Sequence, residues 1–333
     1  MKRISAERTA LETVIPLATP FIIYIDPSDR CNFQCSFCPT GDRNLMKNTA
    51  GRNHGLLDFE LYQKIIDDLG EFAEPIKVIR LYKDGEPLIH PRFADMIRYA
   101  KASGFVGRVD TTTNASLLTP EKNLALIEAG LDRINISIYG VNSQHYLDFT
   151  KFKIDMDKLV ANIRHLYEHR AQCEVVVKIS GDFISPVERQ TFLDIFKEGM
   201  SGLDPSIEHT MACWSGFDFA SHGIEINQDQ GIYGQLIQEV STCPYVFYSF
   251  AINSSGIASL CFLDWQRKLT VGNLRTSSVK SIWNDPAFVE HRKMMLRGDR
   301  KSHPVCGPCG QMSHGQPDNI DPYATMLLEK IQG

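Results

Sequence analysis

Long apolar runs and a surplus of basic residues are both absent from the sequence. No apolar run approaches the roughly eighteen residues of a membrane-spanning helix. Residues 1–20 carry charges throughout and lack the apolar core of a signal peptide. A net charge of −5 gives no basic surplus that would indicate nucleic acid or an acidic membrane as a partner. These absences predict a soluble cytoplasmic protein.

The nine cysteines do not indicate a disulfide framework. With 333 residues, 43% of them apolar, the chain can form a core without cross-links, and cysteines that cluster by position indicate metal. An early group has the spacing C-x3-C-x2-C, and a late group has the spacing C-x17-C-x44-C-x2-C. The early group is Cys31, Cys35 and Cys38, and the late group is Cys243, Cys261, Cys306 and Cys309. Cys173 and Cys213 belong to neither group, and we expect Cys173 to be structural.

Strand-like and helix-like segments alternate through the first two thirds of the chain. The strand candidates are Phe21–Ile25, Ile76–Leu81, Arg108–Thr113, Arg133–Ile138, Glu174–Ile179 and Ile207–Cys213. The amphipathic helix candidates are Phe59–Leu69, Pro91–Ala102, Pro120–Ala129, Met156–His169 and Pro186–Lys197. Thr119 and Ser185 each precede a proline and are predicted N-caps. The alternation predicts an α/β protein with a parallel sheet, but periodicity alone does not distinguish a barrel from an open sheet.

The alternation stops after Gly216. The runs Phe247–Ile252 and Ile257–Phe262 predict a β-hairpin flanked by two late cysteines, and Ser278–Leu296 is a helix candidate. Four cysteines can complete the coordination of one metal centre, either an iron–sulfur cluster or zinc. A zinc ribbon usually uses two short C-x2-C pairs, and the late group has one.

The early cysteines resemble the cluster motif of the radical S-adenosylmethionine (SAM) superfamily, in which an aromatic residue, here Phe37, precedes the third cysteine. Three thiolates leave one iron of a four-iron cluster open. The resemblance implies that SAM binds this iron and is cleaved reductively to a 5′-deoxyadenosyl radical. It also implies a partial (β/α)6 TIM-like barrel with its active site at the C-terminal strand ends. A partial zinc site or buried structural thiols are the alternatives.

Polar groups at four successive strand ends resemble the SAM contacts of that family. Asp84, Gly85 and Glu86 follow the second strand and resemble the Gly-Gly-Glu motif that holds the SAM amino group, with Asp84 in place of the first glycine. A carboxylate in a short turn suits an ammonium ligand. Asn114, Ser137 and Lys178 belong to the next three strand ends, and the resemblance implies that they contact the ribose or carboxylate of SAM.

The late cysteines resemble those of the SPASM/Twitch extension, which binds an auxiliary [4Fe-4S] cluster. A complete SPASM domain would carry about three more cysteines, so the likeness implies the shorter Twitch form with one cluster. The predicted organisation is an N-terminal extension (1–20), a radical SAM core (21–216) and a small α+β auxiliary cluster domain (217–333).

The predicted function is oxidation of a secondary alcohol on a small polyol, aminocyclitol or sugar, with the auxiliary cluster as acceptor of the second electron. This chain resembles aminocyclitol dehydrogenases in cysteine spacing, and about 20 residues before the first strand leave no room for a leader-recognition domain. The alternatives are a radical epimerase of a sugar or peptide that uses Cys213 as hydrogen-atom donor, a peptide-modifying maturase, and a non-catalytic iron–sulfur protein. Cys213 also fits a packing role, because free cysteine often packs as a small apolar residue. A flavodoxin or ferredoxin is the expected electron donor.

Overall fold

Six parallel strands form the larger part of the sheet. The computed structural model describes residues 9–52, 54–209, 213–225, 229–315 and 318–332. The strands are β1 (Ile22–Ile25), β2 (Ile76–Arg80), β3 (Val106–Thr113), β4 (Arg133–Ile138), β5 (Glu174–Ser180) and β6 (Ser206–Glu208). They lie in the order β6-β5-β4-β3-β2-β1, and each neighbouring pair is parallel. This order confirms the predicted α/β fold and brings all six C-terminal strand ends to one edge.

Helices follow the strands as the sequence predicts. Up to β6 they are α1 (Leu11–Val14), α2 (Arg43–Asn48), α3 (Phe59–Asp68), α4 (Phe93–Ala102), α5 (Pro120–Glu128), α6 (Ser143–Thr150), α7 (Met156–Glu168) and α8 (Pro186–Leu193). The side chain of Thr119 caps α5, and Ser185 forms a capping box with Glu188 at the start of α8, so both predicted caps are confirmed. The predicted helix Pro186–Lys197 is α-helical only to Leu193 and continues as a π-helical segment over Asp194–Glu198.

The predicted hairpin joins the same sheet. It consists of β7 (Ser249–Ile252) and β8 (Ile257–Ser259), and β9 (Thr270–Asn273) follows. β7 pairs in parallel with β1, whereas β8 and β9 pair antiparallel with their neighbours, so nine strands form one sheet in the described ranges. The later helices are α9 (Tyr245–Tyr248), α10 (Val279–Trp283), α11 (Pro286–Leu296), α12 (Gln311–His314) and α13 (Ala324–Gln332). The predicted domain boundaries stay a prediction.

Other predicted elements are also shorter than expected. The hairpin candidates Phe247–Ile252 and Ile257–Phe262 form strands only over Ser249–Ile252 and Ile257–Ser259. The helix candidate Ser278–Leu296 is interrupted between α10 and α11, because Pro286 cannot continue a helix and instead begins a new one capped by Asp285. The sixth strand candidate reached Cys213, but β6 ends at Glu208. It is an edge strand that pairs with β5 over three residues. Residues 210–212 lie outside the described residues, and Cys213 follows them in a loop.

Buried aliphatic side chains fill the core, which explains why the parallel strands appear as apolar runs. Ile23, Ile79, Val109 and Ile134 have no exposed surface. Within the described ranges, none of the helices has the length and apolar character that crossing a membrane requires.

Candidate active site

The early cysteines lie in a tightly wound loop directly after β1. The amide of Cys38 donates to the carbonyl oxygen of Cys35 at 3.1 Å, and the amide of Gly41 donates to that of Cys38 at 2.9 Å. A Cβ atom at Gly41 would lie 2.2 Å from the carbonyl oxygen of Cys35, so only glycine fits there without a shift of the loop. The sequence contains this glycine, but no pattern marked it as part of the cysteine loop.

All seven grouped cysteines are at least partly buried, and their thiols resist ionisation on their own. Burial raises the pKa of Cys31 to about 12, and it also raises the pKa of Cys35 well above the usual value. Cys243 and Cys306 have pKa values raised to about 12 by burial. A cysteine must lose its proton to ligate a metal, so ligation at these sites would require a cationic centre that compensates for the buried charge.

The sulfur spacing suits a cluster better than a single ion. In the part of the chain that the structure describes, no three cysteine sulfurs lie within 4.8 Å of one another. Zinc–sulfur bonds of ~2.3 Å would bring tetrahedral sulfur ligands to about 3.8 Å from one another. This spacing does not match a tetrahedral zinc ion, and thiolates are the usual protein ligands of iron–sulfur clusters, so the donor set fits the cofactor that the resemblance implies.

The Gly85–Glu86 turn packs directly on the cysteine loop. A Cβ atom at Gly85 would lie 2.2 Å from the carbonyl oxygens of Ser28 and Arg30, which explains the glycine. The amide of Glu86 donates to the carbonyl oxygen of Arg30 at 2.8 Å. The predicted role of the turn in SAM binding stays a prediction.

The Glu86 carboxylate is hydrogen bonded to the third strand end. One oxygen accepts from the Thr113 hydroxyl at 2.6 Å and from the Leu88 amide at 3.1 Å, and the other accepts from the Asn114 amide at 2.8 Å. Burial raises the pKa of Glu86 to about 7 although these hydrogen bonds lower it. In the described contacts, Glu86 therefore fixes β2 to β3, and SAM would have to share its oxygens.

Asp84 belongs to a buried ion network. Its carboxylate lies 2.7 Å from Nζ of Lys83, 2.8 Å from a terminal nitrogen of Arg267 and 3.7 Å from one of Arg52. Burial raises the pKa of Asp84, but the three cations outweigh burial and hold it below its usual range. The network explains why aspartate replaces the glycine expected here. Sequence reasoning missed it, because the two arginines come from distant, unpatterned loops.

Asp26 and Asp29 complete this ion network. Asp29 accepts from Arg52 at 2.5 Å and lies 3.4 Å from Arg267. Burial and then the neighbouring Asp84 raise the pKa of Asp26 to about 8. The ligand oxygens of Asp26, Asp29 and Asp84 lie within 4.8 Å of one another, and three cationic side chains already face them.

Asn114 contacts an early cysteine, and Tyr139 packs on Phe37 in the same loop. Nδ2 of Asn114 lies 4.0 Å from the sulfur of Cys31. The ring of Tyr139 stacks on that of Phe37 at a centroid distance of 5.8 Å. Burial and then the three cysteines raise the pKa of Tyr139 well above its usual value. Sequence reasoning missed Tyr139, although it directly follows β4 at the predicted edge.

A cavity of about 230 Å³ lies at the C-terminal strand ends. Four residues predicted from sequence line it together, namely Phe37, Ser137, Lys178 and Cys213. Glu208 and His209 were not predicted and also line it. Nζ of Lys178 donates to Glu208 at 3.2 Å, and Nδ1 of His209 lies 2.6 Å from the carboxylate of Asp182. The cavity thus contains charged groups and two hydrogen-bonded pairs.

The four late cysteines line a second, smaller cavity of about 40 Å³. Asp264 shapes its wall by accepting from the amides of Lys268 and Leu269. Cys213 lines this cavity as well as the larger one, and its carbonyl oxygen lies 3.8 Å from the sulfur of Cys309. Burial, then Cys309 and Cys38, raise the pKa of Cys213 to about 12, so it remains a neutral thiol. Cys213 therefore lies between the two cysteine groups.

Both parts of the chain match known domain families. Residues 25–189 match the radical SAM superfamily, and residues 243–310 match the SPASM iron–sulfur cluster-binding domain. The chain therefore contains a radical SAM domain followed by a SPASM-type iron–sulfur domain. These domains imply SAM and [4Fe-4S] clusters as cofactors.

Individual known proteins match only part of this chain or share little sequence identity with it. A tungsten-containing aldehyde ferredoxin oxidoreductase cofactor-modifying protein of Pyrococcus furiosus is 36% identical over 116 residues, which is 35% of this chain and 30% of that protein. The chain spans less than half the length of the curated relatives it matches. BtrN in complex with AdoMet and 2-DOIA has a TM-score of 0.56 at 17% identity, covering 90% of this chain and 97% of BtrN. anSMEcpe with bound AdoMet and Cp18Cys peptide has a TM-score of 0.58 at 13% identity, covering 94% and 96%. At these identities the two structures establish a shared fold.

Proposed function

We propose that this radical SAM enzyme is a dehydrogenase that oxidises a secondary alcohol of a small polyol, aminocyclitol or sugar derivative. The observation that carries the proposal is the position of Cys213, which lines both cavities. A substrate at the strand ends would lie beside the auxiliary cluster, so its second electron has a short path. The cavity of about 230 Å³ is lined by Lys178, Glu208 and His209, whose polar groups suit a hydroxylated substrate.

His209 is our candidate for the base that accepts the hydroxyl proton. When bound, SAM and the two clusters supply the radical that takes the carbinol hydrogen atom and the acceptor for one electron. The alcohol must also lose its hydroxyl proton to become a ketone. Because Asp182 accepts at 2.6 Å from Nδ1 of His209, Nε2 is left as the acceptor. Lys178, predicted from the sequence as a SAM contact, pairs with Glu208 in the same cavity, and we propose instead that it donates to the substrate oxygen.

The remaining predicted residues would bind the cofactors. We propose that Cys31, Cys35 and Cys38 hold the SAM-binding cluster and that the four late cysteines hold the auxiliary one. Asp84 would hold the turn after β2 in place through its ion network. Gly85, Glu86, Asn114 and Ser137 would border SAM. BtrN, of the same fold, binds AdoMet together with 2-DOIA, which supports a site for SAM beside a small molecule. A flavodoxin or ferredoxin would supply the initiating electron.

Anaerobic turnover with candidate polyols tests the dehydrogenase proposal. We expect 5′-deoxyadenosine and ketone in equal amounts from the true substrate. If 5′-deoxyadenosine forms but none of the candidates gives a ketone, the proposal is rejected. In His209→Asn, ketone formation should fall about 10²–10⁴-fold, because one general base is lost, while SAM binding is retained. His169→Asn, at an exposed helix end, is the matched control and should behave as the unchanged enzyme. If a peptide is added in place of the polyol and is modified, the result would favour the maturase alternative.

A second candidate function is a radical epimerase with Cys213 as hydrogen-atom donor. The favouring observation is again that Cys213 lines the cavity and remains a thiol, which retains a hydrogen atom to give. An epimerase would place solvent deuterium in the product, and Cys213→Ala would cleave SAM without forming epimer. Cys173→Ala, which removes a thiol buried in the core, is the control. Unchanged turnover in Cys213→Ala would reject this candidate.

A further inference from the structure

Three basic side chains hold Cys306, one at each of its polar atoms. Arg300 donates from a terminal guanidinium nitrogen to the carbonyl oxygen of Cys306 at 2.9 Å. The amide of Cys306 donates to Nδ1 of His303 at 3.1 Å. The sulfur of Cys306 lies 3.8 Å from Nε2 of His291. Arg300 and His303, just before Cys306, therefore position the backbone of the cysteine, and His291 on α11 contacts its sulfur.

The contact between His291 and Cys306 has a defined direction once Cys306 ligates iron. A ligating cysteine is a thiolate and has no proton to donate, so Nε2 of His291 must carry the hydrogen and donate it to sulfur. His291 lies on α11 and is 9% exposed, and its ring meets that of His303 edge to face at 5.3 Å. Packing thus fixes the imidazole with Nε2 against the sulfur.

We propose that this hydrogen bond raises the reduction potential of the auxiliary cluster, which favours its uptake of the substrate electron. The proposal rests on the proposed role of Cys306 as a ligand and adds the residue that tunes the cluster. Reduction adds negative charge to the cluster and its sulfur ligands, so a donor to sulfur stabilises the reduced state more than the oxidised state. His291 is a positioning residue that acts through Cys306.

A redox titration of the reconstituted holoenzyme, followed by electron paramagnetic resonance of the auxiliary cluster, tests this proposal. His291→Phe keeps a ring but removes the donor. We expect the equilibrium constant for electron uptake to fall about tenfold, which is ~59 mV for a one-electron couple. His291→Gln, whose amide can donate, should recover part of the shift. His169→Phe, at an exposed position, should leave the potential unchanged.

Iron content separates failure of this proposal from failure of the ligand assignment. An unchanged potential in His291→Phe with about eight irons per chain would overturn the proposal, and so would equal shifts in the Phe and Gln variants. If Cys306→Ala also keeps about eight irons, the ligand assignment fails and the proposal fails with it. The expected shift without any ketone product keeps the proposal and rejects the dehydrogenase function.

Discussion

Replacing Asp84 with glycine would give the turn after β2 the Gly-Gly-Glu sequence of its superfamily, yet we expect the variant to be less stable. The Asp84 carboxylate lies 2.7 Å from Lys83 and 2.8 Å from Arg267, and all three side chains are at most 3% exposed. Without it, buried cations lose their partner. Removal of one member of a buried ion pair costs about 3–5 kcal/mol of the free energy of unfolding.

Asp84→Asn separates the charge from the backbone, because asparagine keeps the side-chain shape and adds no glycine flexibility. We expect a loss of about 3–5 kcal/mol here too. Asp95→Asn is the matched control, since Asp95 also pairs with two arginines, at 3.1 and 2.8 Å, but with side chains 43–55% exposed. Its loss should stay below about 1 kcal/mol. Urea unfolding of the reconstituted protein under argon, followed by far-ultraviolet circular dichroism, gives these free energies.

Equal losses in Asp84→Asn and Asp95→Asn would refute the ion-network reasoning. The double variant Asp84→Asn/Arg267→Met provides a second test. If the two side chains stabilise each other, its loss should be smaller than the sum of the single losses by about 0.5–3 kcal/mol. Strictly additive losses would show that the contact contributes nothing.

Further predictions concern the cysteine loop and pH. Gly41→Ala places a Cβ 2.2 Å from the carbonyl oxygen of Cys35, so iron content should fall from about eight towards about four per chain; full iron content would contradict the loop geometry. Because the folded-state pKa of Asp26 is raised from 3.8 to about 8, the folded protein binds this proton more tightly than the unfolded protein. The free energy of unfolding should therefore fall as pH rises from about 4 to 8, by at most ~1.4 kcal/mol per pH unit, and Asp26→Asn should flatten that slope. An unchanged slope in Asp26→Asn would contradict the pKa assignment.

The sequence predicts the parallel sheet well because each element carries a local signal. Buried parallel strands are apolar runs, and Thr119 and Ser185 mark helix starts with a hydroxyl followed by proline. The interruption between α10 and α11 has a local signal in Pro286, which begins a new helix, although the predicted helix Ser278–Leu296 extends across it. The end of β6 had no local signal, because an edge strand ends where its partner stops pairing.

Some residues of the candidate site were also predictable from the sequence, and others were not. Cysteine spacing predicted both groups, and the fold brings each group together around one loop or cavity. The ion network was not predictable, because Arg52 and Arg267 lie in loops whose meeting depends on the finished fold. His291 had no motif either, since its contact with Cys306 depends on how α11 packs. The roles of the SAM-contacting residues stay predictions that the variants above address.

Quantification of 5′-deoxyadenosine and ketone in the same anaerobic reaction tests the central claim most directly, when the unchanged enzyme is compared with Cys306→Ala. The account predicts equal amounts of the two products from the unchanged enzyme. In Cys306→Ala it predicts continued SAM cleavage with little ketone, because the acceptor for the second electron is lost. Ketone formation at the unchanged rate in Cys306→Ala would contradict the account.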